Sequence, residues 1–268
     1  MMEVTLLSKT GTSAKHKLPS QFGEKVRPDL IERAVHSIQS KARQPYARDP
    51  EAGKRVSADL RKRRRKYRGS YGKGISRIKR KIMSRNGMQM QWVGAFAPQA
   101  VGGRRAHPPK IEKVWALKIN DKERRKAIRS ALAATMFKEI VIARGHKVPA
   151  NYPFIVESDV QEVKKTAQIK KVLELWGFSD DLARAAFKRI RAGRGKSRGR
   201  KHKKAKTILV VVDGPCPLSK SLKNIPGVDV VSVTELNASV LAPGGVPGRA
   251  TVFTKKAIDK LEKEKLYL

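Results

Sequence analysis

TILVVVDGP, residues 207–215, joins a short apolar run to a turn. The run TILVVV is rich in branched side chains, and Asp213-Gly214-Pro215 follows it as a turn would, which is typical of a buried β-strand. Three other stretches share this character and are bounded by Gly, Pro or Asn: PFIVE at 153–157, VDVVSV at 228–233 and ATVFT at 250–254. Together they predict a sheet of about four strands.

Helical patterns lie around these strands. The apolar spacing predicts five helices, over residues 28–41, 121–143, 164–176, 179 to a stop at Gly193, and 255–267. The last helix would cover one edge or face of the sheet. Ser179 has the features of an N-cap, with Asp180 and Asp181 in the first turn. Strands that alternate with helices predict a mostly parallel α/β sheet with helices on both faces.

The amino-terminal sequence EVTLLSKTGTSAKHKLP, residues 3–19, predicts a β-hairpin. Two runs of strand-forming residues flank Thr10, Gly11 and Thr12, where we expect the chain to turn.

The net charge is strongly positive. The chain has 61 Lys and Arg against 23 Asp and Glu, a net charge of +38. Such self-repulsion opposes compaction unless a polyanion neutralises it, which favours nucleic acid as the partner. The sequence has no apolar run long enough to span a bilayer and no signal-peptide pattern, and its single cysteine can form no intramolecular disulfide. We therefore expect a cytoplasmic protein with no membrane partner.

Two segments carry most of this charge. Residues 41–85 contain 18 basic and 3 acidic residues, net +15, and residues 184–206 contain 12 basic residues and no acidic one. Residues 207–268, with 8 basic and 6 acidic residues, resemble an ordinary domain. The two basic segments are predicted interaction surfaces.

Between Gln44 and Lys110 the periodicity of helices and strands disappears. We expect there only a short helix near Ser57 and an apolar patch over 88–96. Ordering about 65 residues costs on the order of 1 to 2 kcal/mol each in backbone entropy, and contacts with nucleic-acid phosphates could offset that cost. A disordered basic tail is the alternative. Against it, aromatic residues are interleaved with the charge as base-stacking groups would be: Tyr46, Tyr67, Tyr71, Trp92 and Phe96.

Residues 61–68 have seven basic side chains in eight positions. A helix would bring like charges together at Arg61/Arg65, Lys62/Lys66 and Arg64/Arg68, which is unfavourable. We expect no helix here and expect nucleic-acid phosphate to order the segment.

The sequence contains no complete motif for an enzymatic or metal site. GRGKSRG, residues 193–199, lacks the earlier glycine of a P-loop, because that position is Ile190, and the glycines of GSYGKG have the wrong intervals for a dinucleotide site. Cys216 has no histidine near it in sequence and is interpreted as a buried or turn thiol, and Asp213 as a turn residue. The five histidines are scattered without ligand spacing. We expect no metal, cofactor or small-molecule substrate.

Three motifs identify the family. KARQPYARDPEAGKRVSADLRKRRRKYRGSYGKG (41–74), GAFAPQAVGGRRAHPPK (94–110) and RAGRGKSRGRKHKKAK (191–206) closely resemble the ribosomal protein L-four family of the large subunit. QPYARDP and GGRRAHPPK, about 55 residues apart, are the specific part. Eukaryotic members carry a long carboxy-terminal extension that is absent after Leu268, so the archaeal form is expected.

The resemblance implies a three-layer α/β/α globular domain formed by residues 1–43 and 111–268. It implies that residues 44–110 form an extended loop that threads into ribosomal RNA, with a further basic RNA-binding segment at 194–206. In this family the loop tip helps line the polypeptide exit tunnel. Implied partners are large-subunit ribosomal RNA, neighbouring ribosomal proteins and, at the tip, the nascent polypeptide.

The predicted RNA-binding residues are basic residues of the extended loop, of its base and of the 194–206 segment, together with Tyr46 and His107. They are Arg43, Tyr46, Arg48, Lys54, Arg55, Arg61, Lys62, Arg63, Arg64, Arg65, Lys66, Arg68, Lys73, Arg77, Lys79, Arg80, Lys81, Arg85, Arg104, Arg105, His107, Arg194, Lys196, Arg198, Arg200, Lys201, Lys203 and Lys204. Carried over from the family, the tunnel tip is Tyr67, Gly69, Ser70, Tyr71, Gly72, Lys73, Gly74 and Arg77.

Two other functions stay open at this point. One is an RNA-processing or RNA-modifying α/β enzyme whose basic segments hold substrate, although no acid/base constellation or cofactor loop is visible. The other is a DNA-compacting chromatin protein, for which charge alone would suffice.

Overall fold

The computed structural model describes residues 3–8 and 13–268. The chain divides into two compact units, described separately below. The first unit combines the residues before Arg43 with Ala116–Leu268, and the second is Arg43–Trp115.

The described residues form ten strands and eight α-helices. The strands are β1 (Glu3–Leu7), β2 (Ser13–Lys17), β3 (Arg80–Asn86), β4 (Gln89–Gly94), β5 (Phe154–Val156), β6 (Arg189–Ile190), β7 (His202–Lys203), β8 (Leu209–Val212), β9 (Asp229–Ser232) and β10 (Thr251–Thr254). The helices are α1 (Pro28–Lys41), α2 (Asp121–Met136), α3 (Lys138–Ala143), α4 (Thr166–Leu175), α5 (Ser179–Ala186), α6 (Pro217–Lys223), α7 (Ala238–Leu241) and α8 (Lys255–Lys263). Short 3₁₀ helices join several of them.

One six-stranded sheet organises the first unit. Its strand order is β2-β1-β5-β10-β8-β9, and only the β1–β2 pair is antiparallel. The four predicted strands are confirmed as β5, β8, β9 and β10. The pairing of the amino-terminal hairpin is confirmed too, and β1 extends the sheet by pairing with β5. The predicted turn at Thr10–Thr12 lies outside the described residues.

Alternate residues of the central strands point to opposite faces of this sheet. On β8, Leu209 and Val211 belong to a buried cluster with α1, α2 and α8, whereas Val210 and Val212 belong to another with α4 and α6. All four residues are buried, as expected for a parallel strand covered on both faces. The unit is therefore a three-layer α/β/α domain, as the resemblance implied.

The predicted helix over 121–143 is wrong in one respect, because it is two helices. Phe137 has extended backbone, φ −89° and ψ 105°, and separates α2 from α3. The break has a physical reason in the packing: Leu132 and Met136 of α2 lie in one core, whereas Val141 of α3 lies in the other.

Five other helix boundaries differ from prediction, two of them in α4, which runs from Thr166 to Leu175 instead of over 164–176. Ser179 is the first residue of α5 instead of its N-cap, and α5 ends at Ala186, well before Gly193. The chain leaves the helix because Phe187 is extended and β6 follows. The last helix, α8, ends at Lys263. The helix predicted over 28–41 is confirmed with the same ends.

The second unit contains an antiparallel hairpin, β3–β4, that the sequence did not indicate. No helix forms near Ser57, where a short one was predicted; instead Asp59 and Arg80 exchange two backbone hydrogen bonds. Turns and extended chain make up the rest of this unit. Within the described ranges, no helix combines the length and apolar character needed to cross a bilayer.

Candidate nucleic-acid interface

The segment 61–68 forms a compact turn in which the backbone supplies the order. The carbonyl of Arg61 accepts a hydrogen bond from the Ser70 N–H (3.1 Å), and the Lys66 carbonyl accepts one from Gly69 (2.9 Å). Arg65 and Arg68 adopt left-handed backbone, with φ 54° and 61°. A Cβ at position 69 would lie 2.8 Å from the carbonyl oxygens of residues 63 and 66, so only glycine fits there. Residues 61–66 are all exposed.

Every aromatic ring of the second unit lies near at least one cationic side chain. The rings are Tyr46, Tyr67, Tyr71, Trp92, Phe96 and Trp115. A cation over a ring face gains about 0.5 to 1 kcal/mol at an exposed site, so the rings hold the cations in place against their mutual repulsion. The five aromatic residues singled out from sequence thus have a structural use within the unit.

Tyr71 and Tyr67 each contact two arginines. Arg64 and Arg77 lie 5.0 and 4.7 Å from the centre of the Tyr71 ring. Arg85 donates a hydrogen bond to the Tyr67 hydroxyl, and this bond lowers the pKa of the phenol from its ordinary value. Both tyrosines stay more than a third exposed, at 37% and 38%.

The hairpin strands and the returning chain continue this pattern. Lys73 and Arg80 lie 5.3 and 5.8 Å from the Trp92 ring. Lys79 and Arg104 lie 4.4 and 5.6 Å from Phe96. Eight of the predicted RNA-binding residues, Arg64, Arg68, Lys73, Arg77, Lys79, Arg80, Arg85 and Arg104, therefore lie at the aromatic rings.

The outgoing and returning chains of the second unit run beside each other. The Arg48 N–H bonds to the Pro109 carbonyl (3.4 Å). A Cβ at Gly53, whose φ is 78°, would lie 2.7 Å from the Arg104 backbone, so glycine permits this close approach. QPYARDP and GGRRAHPPK, distant in sequence, are therefore neighbours.

Other predicted RNA-binding residues of this unit have fewer protein contacts. Arg55 pairs with Asp49 at 2.8 Å. Lys54, Lys62, Arg63, Arg65, Lys66 and Arg105 are exposed. Lys81 is half-buried on β3, and His107 lies in a cavity lined also by Arg105. The charges of the exposed lysines and arginines are accessible to an anion.

The basic segment of the first unit is a small closed hairpin. Arg189 and Ile190 pair with Lys203 and His202, and a 3₁₀ helix at Arg194–Arg198 fills the loop between two glycines with φ 77°. Arg191 points inward and donates to the carbonyls of Arg200 (3.1 Å) and His202 (3.4 Å). The predicted RNA-binding residues are all exposed: Arg194, Lys196, Arg198, Arg200, Lys201, Lys203 and Lys204.

Two polar clusters that meet the chain at Lys206 fasten the base of this hairpin to the core. In one, Arg184 donates to the Asp181 carboxylate (2.9 Å) and to the Lys206 carbonyl (2.9 Å). Burial raises the pKa of Asp181, but hydrogen bonds from His146 and the Lys147 N–H, with the charge of Arg184, outweigh it and hold the pKa below its ordinary value. In the other, the Lys206 side chain pairs with Asp229 at 2.8 Å.

Comparison with known proteins decides the family. The family model described as "Ribosomal protein L4/L1 family" matches residues 16–264. The large ribosomal subunit protein uL4 of Nanoarchaeum equitans is 46% identical over 268 residues, which cover 99% of this chain and 100% of that protein. This chain belongs to the ribosomal protein L4/L1 family.

Two further archaeal relatives of the same name support this. The protein of Methanocaldococcus jannaschii is 45% identical over 264 residues, covering 97% of this chain and 98% of the relative. That of Archaeoglobus fulgidus is 44% identical over 246 residues, covering 91% and 92%. The resemblance to the archaeal form of the L4/L1 family is confirmed.

The Gly-Lys-Ser sequence, Cys216 and Asp213 have structural explanations in this L4/L1 family member. The Gly-Lys-Ser of residues 195–197 lies in the 3₁₀ helix of the basic hairpin. Burial raises the pKa of the Cys216 thiol, which disfavours a nucleophilic thiolate, and Asp213 lies in the bend after β8. Across residues 3–8 and 13–268, no group of three or more His, Cys, Asp or Glu is placed to hold a metal ion.

Sequence analysis missed one aromatic residue of the interface, Trp115. Its ring stacks on Tyr46, with centroids 5.5 Å apart and planes at 25°. The two residues are far apart in sequence, and Trp115 lies outside the aperiodic stretch that drew attention. Tyr46 and Trp115 meet because the two chain segments pair in the fold, as the hydrogen bond between Arg48 and Pro109 shows, and the sequence does not indicate this pairing.

Proposed function

We propose that this chain is a structural constituent of the large ribosomal subunit that binds ribosomal RNA and assists subunit assembly. Membership of the ribosomal protein L4/L1 family carries this proposal. The exposed cations held in fixed groups by aromatic rings support it, because preordered charges bind polyanions with less loss of side-chain entropy.

RNA binding is assigned to two surfaces. The first is the extended segment, residues 44–110, with Arg43 at its base, and the second is the basic hairpin at 194–206. Each cation that neutralises a phosphate releases condensed counterions, so the two surfaces together would supply a strong, salt-dependent attachment. Neighbouring large-subunit proteins would be further partners, and the protein would reside on cytoplasmic ribosomes.

We also propose that residues 67–77 line the polypeptide exit tunnel and meet the nascent chain. Tyr67 and Tyr71, both partly exposed, and Lys73 and Arg77 would set the width and positive potential of the wall there. Gly72 and Gly74 have positive φ, 78° and 67°, and no atom lies within 4 Å of a Cβ built on either. This leaves the backbone between Tyr71 and Arg77 uncrowded.

Neither competing function gains support. The relatives carry the name of a ribosomal protein, not of an enzyme. A DNA-compacting role needs charge alone and gives no reason for an aromatic ring beside each cationic cluster.

Sedimentation of a tagged chain from a cell lysate tests the proposal. We expect it to migrate with large subunits and to be released by ribonuclease. Migration with chromatin, or only with free protein, would contradict it. A second chain with the seven exposed basic residues of the 194–204 hairpin changed to Gln should appear in subunits in reduced amount.

A further inference from the structure

A cavity of about 770 Å³ opens within the second unit beside Tyr46. Its walls include two aromatic rings, two prolines, the imidazole of His107 and the charged groups of Arg105, Glu112 and Lys113. This volume lies in the range of small-ligand sites, roughly 300 to 1,000 Å³, and a mixture of flat rings with a few charged groups suits a nucleotide.

The stacked pair Tyr46–Trp115 forms a rigid wall of this cavity. Arg43 lies 3.9 Å from the Trp115 ring centre, and Lys113 lies 4.3 Å from it. The contacts of Arg43, Lys113 and the Tyr46 ring with the Trp115 indole hold the indole in place. Tyr46 keeps 52% of its surface exposed, so it is the ring available to a ligand.

We propose that this cavity binds a single unpaired nucleotide of RNA, with the base stacked on Tyr46 and the phosphate beside Arg105 and Lys113. The inference rests on the proposed function and specifies the ligand of one part of that interface. Glu112 is the one acidic group of the lining. A carboxylate among cations would repel a second phosphate but can accept a hydrogen bond from the amino or imino group of a base.

A paired base cannot reach this cavity, since both faces of a base inside a helix are covered by its neighbours. A bulged or looped nucleotide exposes both the ring face and the base edge. The cavity therefore selects unpaired over paired RNA, whereas the exposed cations elsewhere on the unit bind either.

The test uses the full chain and two RNA hairpins that differ in one position. One carries a fluorescent 2-aminopurine as a single-nucleotide bulge, and the other carries it paired in the stem. At a salt concentration that weakens general phosphate binding, we expect the bulged RNA to bind at least fivefold more tightly, with quenching of 2-aminopurine on stacking.

Substitution at Tyr46 separates stacking from packing. Tyr46→Leu should lose the quenching and weaken binding of the bulged RNA by about 5- to 100-fold, while Tyr46→Phe should keep both. Ile111→Ala, an exposed residue of the same unit outside the cavity lining, is the matched control and should change neither.

Equal affinity of the two RNAs, or unchanged quenching in Tyr46→Leu, would overturn the cavity assignment while leaving the proposed function intact. If the chain binds neither RNA, the proposed function fails and this inference fails with it. A bulged DNA hairpin bound as tightly as the RNA would contradict the assignment to RNA.

Discussion

The guanidinium of Arg249 lies 2.6 Å from the carboxylate of Asp229, with only 1% of the Arg249 side chain exposed. Arg249 also donates hydrogen bonds to the carbonyls of Thr207 (2.9 Å) and Val240 (3.0 Å). The Asp229 carboxylate accepts a further hydrogen bond from the Lys206 ammonium group. The base of the basic hairpin is therefore bound to the sheet by a charge network centred on the buried Arg249. This network fixes the position of an exposed surface without belonging to it.

Replacing Arg249 should destabilise the domain strongly. Arg249→Met leaves the carbonyls of Thr207 and Val240 without the Arg249 donor and leaves Lys206 as the remaining cation on the Asp229 carboxylate. Breaking a fully buried pair from one side costs about 3 to 5 kcal/mol, which is the upper bound here because Asp229 is 33% exposed. Urea denaturation measures the free energy of unfolding. Lys170→Met, which removes an exposed partner of Glu174 at 3.9 Å, is the control and should have little effect. A similar loss in both variants would show that the Arg249 network has no special weight.

The contribution of Asp181 should depend on pH. Its folded pKa lies below the ordinary 3.8, so its contribution to stability is complete above that value and is lost as pH falls through the folded pKa. We expect Asp181→Asn to lower the free energy of unfolding at neutral pH and expect its difference from the unaltered protein to shrink below about pH 4. Asp180→Asn, at the exposed neighbouring position, is the control for denaturation series at several pH values. A difference that grows towards acid would contradict the assigned sign.

The sheet could be predicted from sequence because its strands are apolar on both faces and end at turn residues. Helix ends were harder to predict, since the apolar spacing that continues from Met136 to Ile140 does not reveal that Met136 and Val141 enter different cores. Within the interface, charge identified the exposed cations, but the inward role of Arg191 and the stacking of Trp115 depend on tertiary pairing. Local pattern carries no information on such contacts.

Without RNA, the two basic surfaces should open more readily than the sheet. Few of their side chains are buried, so local opening exposes little apolar surface and costs little free energy. We expect rapid amide exchange and trypsin cleavage over Arg48–Arg85 and Arg194–Lys206, with Arg129 in α2 resistant. Slow amide exchange throughout both segments would contradict this expectation, because it would show that the hairpins and the ring contacts order the segments without RNA.

The basic hairpin should account for part of the salt dependence of RNA binding. Changing Arg194, Arg198, Arg200 and Lys201 to Gln removes four exposed charges and should reduce the slope of log affinity against log salt by up to about 3 to 4. The control changes Lys170, Lys171, Lys255 and Lys256 to Gln, with the same loss of net charge on helices of the domain. If both variants lower the slope equally, net charge, not the hairpin, governs binding.

The proposed tunnel position of residues 67–77 can be separated from their possible use in assembly. Deleting the segment would also remove Gly69 and Ser70, which hydrogen-bond to the 61–66 turn, so substitution of Tyr71, Lys73 and Arg77 by Ala is the better test. Anchoring depends on many other cations, and we expect these subunits to contain the protein at normal levels. Contact with the nascent chain should change, because the wall loses a ring and two positive charges.

A photoreactive residue at position 71 of the otherwise unaltered protein measures contact with the nascent chain, and a second probe replaces Met88. Met88 follows the β3–β4 turn at Gly87 and is 81% exposed, which makes it the matched alternative tip within the same unit. Crosslinks from position 71 to nascent peptide, and a smaller yield from position 88, are expected. Crosslinks from position 88 alone would place the tip at the hairpin turn instead. Loss of the protein with Tyr71, Lys73 and Arg77 substituted from the subunits would show that residues 71–77 act in assembly, because incorporation would then depend on these three side chains.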